Sequence, residues 1–213
     1  MERGERAVVH EKLREWLISY GIASPPTHAY TTPEIYFLQP NNNGDVDYTP
    51  LLEQVFKWAR DANPTEPLTT PIWNGEDWDD WDNLTDLQRL QLDKSDIISF
   101  HNYQNITGLT GKVEALKTYG KPLICTEYMA RRTGSTFDPI LGYLAQENVI
   151  AINWGMVTGK TQTCYPWDSW AKPNPYENIT IEELDWFHDI LYPNGTAKYP
   201  SEIDYIRSVV DKF

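Results

Sequence analysis

Four short apolar runs separated by segments of helical periodicity constrain this 213-residue chain more than any other feature. The runs lie near 67–73, 96–101, 121–127 and 149–154, and helical patterns fill Leu84 to Leu92, Leu109 to Tyr119 before Gly120, and Phe137 to Glu147. Strands alternating with helices are the pattern of consecutive βα units, which build a parallel sheet. The expected fold class is therefore α/β. Right-handed crossovers carry every strand end to the same side, so Trp73, Phe100, His101, Tyr103, Glu127 and Trp154 are expected on one rim.

The run that begins at Lys121-Pro122 and continues Leu123-Ile124-Cys125 stops at a carboxylate, Glu127. An ionised carboxylate there carries a large desolvation cost unless it is paired or used. Parallel sheets hold ligands at the carboxyl ends of their strands, which makes Glu127 the first candidate for chemistry. The competing reading is a solvated residue at a strand end.

Upstream, Glu11 to Tyr20 has helical spacing that stops at Gly21, and Pro33 to Leu38 reads as one short strand before the Asn41–Gly44 turn. Residues 1–44 read as an atypical N-terminal segment of helix plus loop, and 45–213 as one domain. From Asp47 to Ala62 a helix is expected, with Pro50 in its first turn and Leu51, Leu52, Val55, Phe56 and Ala59 on one face. Asn74 to Asn83 reads as a polar loop, and Tyr165 to Tyr176 as a long loop over the rim. The chain closes with an amphipathic helix over 201–213, capped by Ser201.

A formal charge of -13, with no basic patch, argues against nucleic acid and anionic membrane surfaces as partners. Neutral ligands fit better. The 9 Trp and 13 Tyr suit sugar rings, whose C–H faces stack on aromatic faces, although most of these residues are expected to fill a core. No stretch approaches a membrane span, and the chain as written shows no export signal. Cys125 and Cys164 lack metal or redox spacing, and Cys125 lies in an apolar run, so neither a disulfide nor a cofactor is expected. The four scattered histidines give no metal-ligand pattern, and no glycine-rich phosphate loop is present.

Four segments carry a resemblance: Asp96-Ile-Ile-Ser-Phe-His-Asn-Tyr103, Lys121-Pro-Leu-Ile-Cys-Thr-Glu-Tyr-Met129, Ile152-Asn-Trp-Gly155 and Lys160-Thr-Gln-Thr-Cys-Tyr-Pro-Trp-Asp-Ser-Trp170. In order and strand-end placement they resemble the second half of a retaining glycoside hydrolase of the large barrel clan, nearest the family 5 cellulase-like enzymes. The resemblance runs from about Asp45 to the end. It implies the last four βα units of a (β/α)8 barrel and a β-linked glycan, such as a glucan, xylan or mannan, as partner. It also implies a retaining mechanism with Glu127 as nucleophile. His101 and Tyr103 then line the pocket, Trp154 lies beneath the reacting sugar, and Trp73 is a further substrate-binding candidate. Lys160, Gln162 and Trp167 become secondary contacts.

Two departures accompany it. The clan places its acid as Asn-Glu before a proline at the end of strand four, whereas this chain reads Phe37-Leu38-Gln39-Pro40. Gln39 delivers no proton, and Glu34 lies several residues upstream. A closed barrel also needs eight units and about 250 residues. Half a barrel leaves sheet edges open, so self-association is expected. The alternatives are a non-catalytic carbohydrate-binding remnant and half of another barrel enzyme, a hydrolase or aldolase using a strand-end carboxylate.

Overall fold

The computed structural model describes residues 47–73 and 77–212. The N-terminal helix, the short strand over 33–38, Gln39 and Glu34 all lie outside them. The described residues form two compact units, one of 47–70 and 80–97, the other of 71–73, 77–79 and 98–212.

The first unit is a pair of helices, α1 (Thr49–Asp61) and α2 (Asp86–Lys94). Proline sits in the first turn of α1, where its missing N–H has no partner to lose, and Leu51, Leu52 and Phe56 are its buried face. Thr85 and Gln88 cap α2 reciprocally in a capping box. Arg60 reaches from α1 with a two-pronged bond to Asp96 at 2.7 and 2.8 Å. Asp96 also accepts the Leu68 N–H, and Ser95 Oγ accepts the Thr70 N–H.

The second unit is a parallel sheet in sequence order: β1 (Ile98–His101), β2 (Leu123–Glu127) and β3 (Ile150–Ala151). Helices α3 (Ile106–Lys117) and α4 (Phe137–Gln146) make the crossovers, and α5 (Pro200–Val210) packs on α4. Asn105 caps α3 through the Gly108 N–H. Leu109, Val113 and Leu116 of α3 and Ile140 and Leu144 of α4 are fully buried, as are Phe100 and Cys125 in the sheet. Each such side chain contributes about 1.5–3 kcal/mol by leaving water. Gly142 admits Tyr205, whose hydroxyl would lie 2.6 Å from an added Cβ.

Parallel βα order is thus present in three strands; the expected strand over 67–73 is not formed, and β3 is shorter than its apolar run. Over 67–73 only Ile72 bridges β1, in the parallel sense. Pro67 and Pro71 supply no N–H, and the Leu68 and Thr70 amides are taken by side chains rather than a ladder. Over 149–154 the strand covers two residues, although Ile152 and Trp154 still donate to the Cys125 and Tyr128 carbonyls.

Two further expectations are corrected. The stretch around Trp78 is not simply a polar loop: Trp78 is fully buried, edge-on to Phe100, with Lys112 Nζ 4.0 Å above its ring and Tyr119 donating to its carbonyl. Ser201 does not cap α5. The helix begins at Pro200 after Tyr199, and proline fills the first position without a side-chain cap.

Residues 161–199 have little regular structure yet hold a small core of Cys164, Tyr176, Leu184 and Trp186. Both cysteines are free and buried. Burial pushes the Cys125 thiol up to about 12, so it is inert at neutral pH.

Candidate active site

Regular pairing of β1 with β2 would not set Glu127 opposite His101. Phe100 pairs with Cys125, but His101 pairs with Glu127, so β2 carries one extra residue, Thr126. The bulge absorbs Thr126, whose hydroxyl bonds the Phe100 carbonyl, and realigns the two candidate side chains at the strand ends. The ladder then resumes as Asn102 N–H donates to the Glu127 carbonyl.

Tyr103 donates its hydroxyl to Glu127 Oε2 at 2.7 Å, a charge-assisted bond that favours the ionised carboxylate. His101 Nδ1 lies 3.4 Å from the same oxygen. Burial pushes the His101 imidazole down to about 4, so at neutral pH it is uncharged and the contact is not an ion pair. Glu127 keeps 15% of its side-chain surface exposed and His101 5%, an arrangement open to a ligand but largely shielded from water.

Trp73 completes the niche, edge-on to His101 at 5.3 Å and to Tyr103 at 6.0 Å. An open recess of about 910 Å³ runs past Trp73, His101, Tyr103, Lys112 and Trp167. The Thr133 hydroxyl sits between the Tyr103 and Ala130 carbonyls and fixes the segment carrying the phenol.

Trp154 occupies a neighbouring position. Its amide bonds the Tyr128 carbonyl, directly after Glu127, but its side chain lines a second recess together with Gln162, Trp167 and His188. Glu127, His101, Tyr103 and Trp73 are therefore gathered in one niche, and Trp154 stands beside it. Lys160 lines neither recess.

Trp167 links the two, since it lines both and packs edge-on to Tyr103 at 5.3 Å. His188 was not a candidate in the sequence. It is buried, 5.7 Å from the Tyr103 ring, and its Nδ1–H donates to the Met129 carbonyl, which leaves Nε2 as an acceptor. Burial lowers its pKa, keeping the ring neutral.

That carbonyl belongs to a strained residue. Met129 has φ +84°, in the left-handed region that side chains avoid, two residues after Glu127. Ser135 Oγ accepts its N–H and His188 holds its carbonyl. Arg131 locks the turn that follows: it grips Glu202 with bonds of 2.8 and 2.6 Å and donates to the Trp186 and Asp189 carbonyls at 3.0 Å.

Among the described residues, no group of three or more His, Cys, Asp or Glu side chains is placed to hold a metal ion, and no helix is long and apolar enough to cross a membrane. Compared with known proteins, the chain matches no protein-family model and no curated protein.

Proposed function

We propose that this chain is the C-terminal half of a (β/α)8 glycoside hydrolase, acting on β-linked glycans by a retaining mechanism with Glu127 as nucleophile. The observation that carries the reading is the carboxylate at the end of a parallel strand, bonded at 2.7 Å by Tyr103 and walled by His101 and Trp73. The Tyr103 hydroxyl stabilises the charge of Glu127, and the neutral His101 does not neutralise it.

In the first step a Glu127 carboxylate oxygen attacks the anomeric carbon from the face opposite the leaving group. The glycosidic C–O bond breaks, and the leaving oxygen departs with the electron pair. Water then attacks the anomeric carbon, loses its proton to solvent and frees Glu127. A natural alkoxide leaving group needs a proton during departure, a contribution of roughly 10²–10⁴-fold. The sequence offers Gln39 where the family places that acid. Natural glycans are therefore turned over very slowly, while aryl glycosides, whose phenolate leaves without help, react.

The test is covalent trapping. A 2-fluoro aryl glycoside should acylal-link to Glu127, and the labelled peptide should span Leu123–Glu127. A label on another carboxylate overturns the assignment, and rapid turnover of a natural polysaccharide reveals an acid group elsewhere.

The half-barrel reading has its own support. β3 ends the sheet order, and Ile150 and Ile152 on that strand run are about half exposed. Open apolar edges favour pairing with another chain. Light scattering should detect self-association, and a stable monomer at high concentration counts against it.

One observation favours the binding-remnant alternative: tryptophan surface is displayed at both recesses, which binding alone requires. Glycan binding without any Glu127 labelling selects it.

A further inference from the structure

Three Asn-Gly pairs occur in the sequence, at 43–44, 74–75 and 194–195, and the last of them lies within the described residues. An asparagine followed by glycine is the side chain most open to loss of its amide, because the next main-chain nitrogen can reach the side-chain carbonyl carbon and glycine puts no Cβ in the way. Whether a folded chain uses that chemistry depends on how its turn holds the two groups.

At 194–196 the turn holds them for reaction. Asn194, Gly195 and Thr196 are all exposed, so water reaches the side chain and ammonia can leave. Asn194 Oδ1 accepts the Thr196 N–H at 3.0 Å and the Thr196 hydroxyl at 2.7 Å. A main-chain N–H only donates, which fixes the oxygen of the amide, rather than its nitrogen, at that position. Two donors on one carbonyl oxygen draw electrons from Cγ and stabilise the negative charge that gathers on Oδ1 when a nucleophile adds, as an oxyanion hole does. Gly195 has φ +84°, and a Cβ built there would meet nothing within 4 Å, so a five-membered ring finds open space on that side. The Gly195 N–H donates to the Tyr192 carbonyl at 2.9 Å. That bond, at the tip of an exposed hairpin, must open first, and local openings of this kind cost little.

The hairpin is tied to the core behind it. Tyr192 N–H donates to the Thr196 carbonyl at 2.8 Å and Lys198 N–H to the Ile190 carbonyl at 3.0 Å, while Leu191 bridges both Ala197 and Val157. The Tyr192 ring packs edge-on to Trp186 at 4.6 Å, against the cluster of Cys164, Tyr176, Leu184 and Trp186. One extra main-chain methylene at 194 would break the Tyr192–Thr196 closure.

We propose that Asn194 is a self-modification site, at which the two Thr196 donors promote attack by the Gly195 nitrogen, converting Asn194 to aspartate and isoaspartate and loosening the 190–198 hairpin as the protein ages. The Gly195 nitrogen gives its proton to solvent and bonds Asn194 Cγ. The tetrahedral intermediate expels Nδ2, which takes up a proton and departs as ammonia, leaving a succinimide. One water then opens the ring: attack at the side-chain carbonyl yields aspartate, and attack at the main-chain carbonyl yields isoaspartate. The net exchange is one water for one ammonia, and each event adds one negative charge to a chain of formal charge -13.

The test incubates the full chain at mildly alkaline pH in heavy-oxygen water, followed by peptide mapping and isoaspartyl methyltransferase labelling. The peptide carrying Asn194 should gain a heavy-oxygen carboxylate and the methyl label several-fold faster in the folded chain than in the same chain unfolded in urea. Thr196→Val, which keeps the size and loses the hydroxyl donor, should slow the folded chain about 10-fold, less than the loss of a buried oxyanion donor because the site is exposed. Thr196→Ser should restore the parental rate. A folded rate at or below the unfolded rate, or a Thr196→Val rate equal to the parent's, overturns the proposal.

Hydrogen exchange reads the consequence. The isoaspartyl chain, isolated by chromatography, should exchange ~10-fold faster over 190–198 with β1 and β2 unchanged, whereas Asn194→Asp, which adds the charge without the methylene, should stay within a few-fold of the parent. Equal exchange in the isoaspartyl and parent chains overturns the loosening.

Discussion

The Glu127 niche and the tryptophan recess share Trp167 but are held by different means. The niche stands on strand ends: main-chain ladders fix His101 and Glu127, and one bulge sets their register. The recess stands on a 161–189 segment with little regular structure, shaped by ring edges, Tyr176 and Arg131. A strand-built site inherits the stiffness of the sheet, whereas a loop-built site depends on a few side chains. The niche should therefore tolerate damage elsewhere, and the recess should fail when one anchor is lost.

Four experiments break or sharpen that contrast. Glu127→Gln should reduce aryl glycoside turnover by ~10³-fold or more and abolish labelling, while leaving glycan binding within a few-fold. Loss of both at once would mean that the two recesses are a single site. Arg131→Met should cost about 3 kcal/mol in urea unfolding, because it strands the Glu202 carboxylate and two carbonyls; Arg131 is 9% and Glu202 20% exposed, which places the loss at the low end for a buried pair. Hydrogen exchange in that variant should rise first at 161–189 and last in β1 and β2, and uniform loss of protection would erase the distinction.

Tyr103→Phe should slow labelling by roughly 10-fold, the loss of one hydrogen bond to a charged group, with no effect at the recess beyond Trp167. The fourth experiment concerns pH. His101 titrates near 4 when folded, below its ordinary 6.5, so between those values the unfolded chain takes up a proton that the folded chain refuses. Stability present above pH 6.5 is lost as the pH falls toward 4. His101→Gln removes this contribution, so its denaturation midpoint should fall less than the parent's over that window. An equal fall in both proteins rules His101 out as the cause.

How legible each part was in the sequence follows the same division. β1 and β2 showed themselves as apolar runs between helical periods, and Glu127 as a carboxylate ending such a run. The bulge left no mark, because Thr126 looks like any strand residue until its hydroxyl is seen on the Phe100 carbonyl. Trp78 was hidden by the acidic residues around it, although Trp81, three positions on, does face solvent. His188 was equally obscure: its role depends on a carbonyl 59 residues away and on ring packing that has no sequence period. Gln162 and Trp167 drew notice only through the resemblance, since loop geometry leaves no hydrophobic rhythm.

The grip of Arg131 on Glu202 also has a consequence during synthesis. The two residues are 71 positions apart, and translation at about 5–20 residues per second leaves the guanidinium without its carboxylate for roughly 4–14 s. His101 and Tyr103 emerge before Glu127, so the niche assembles early on the nascent chain, while the wall of the recess waits for α5. Chains truncated before Glu202 and released from the ribosome should resist protease across β1 and β2 and be cut within 161–189. Equal resistance in both regions would show that the loop closes without its anchor.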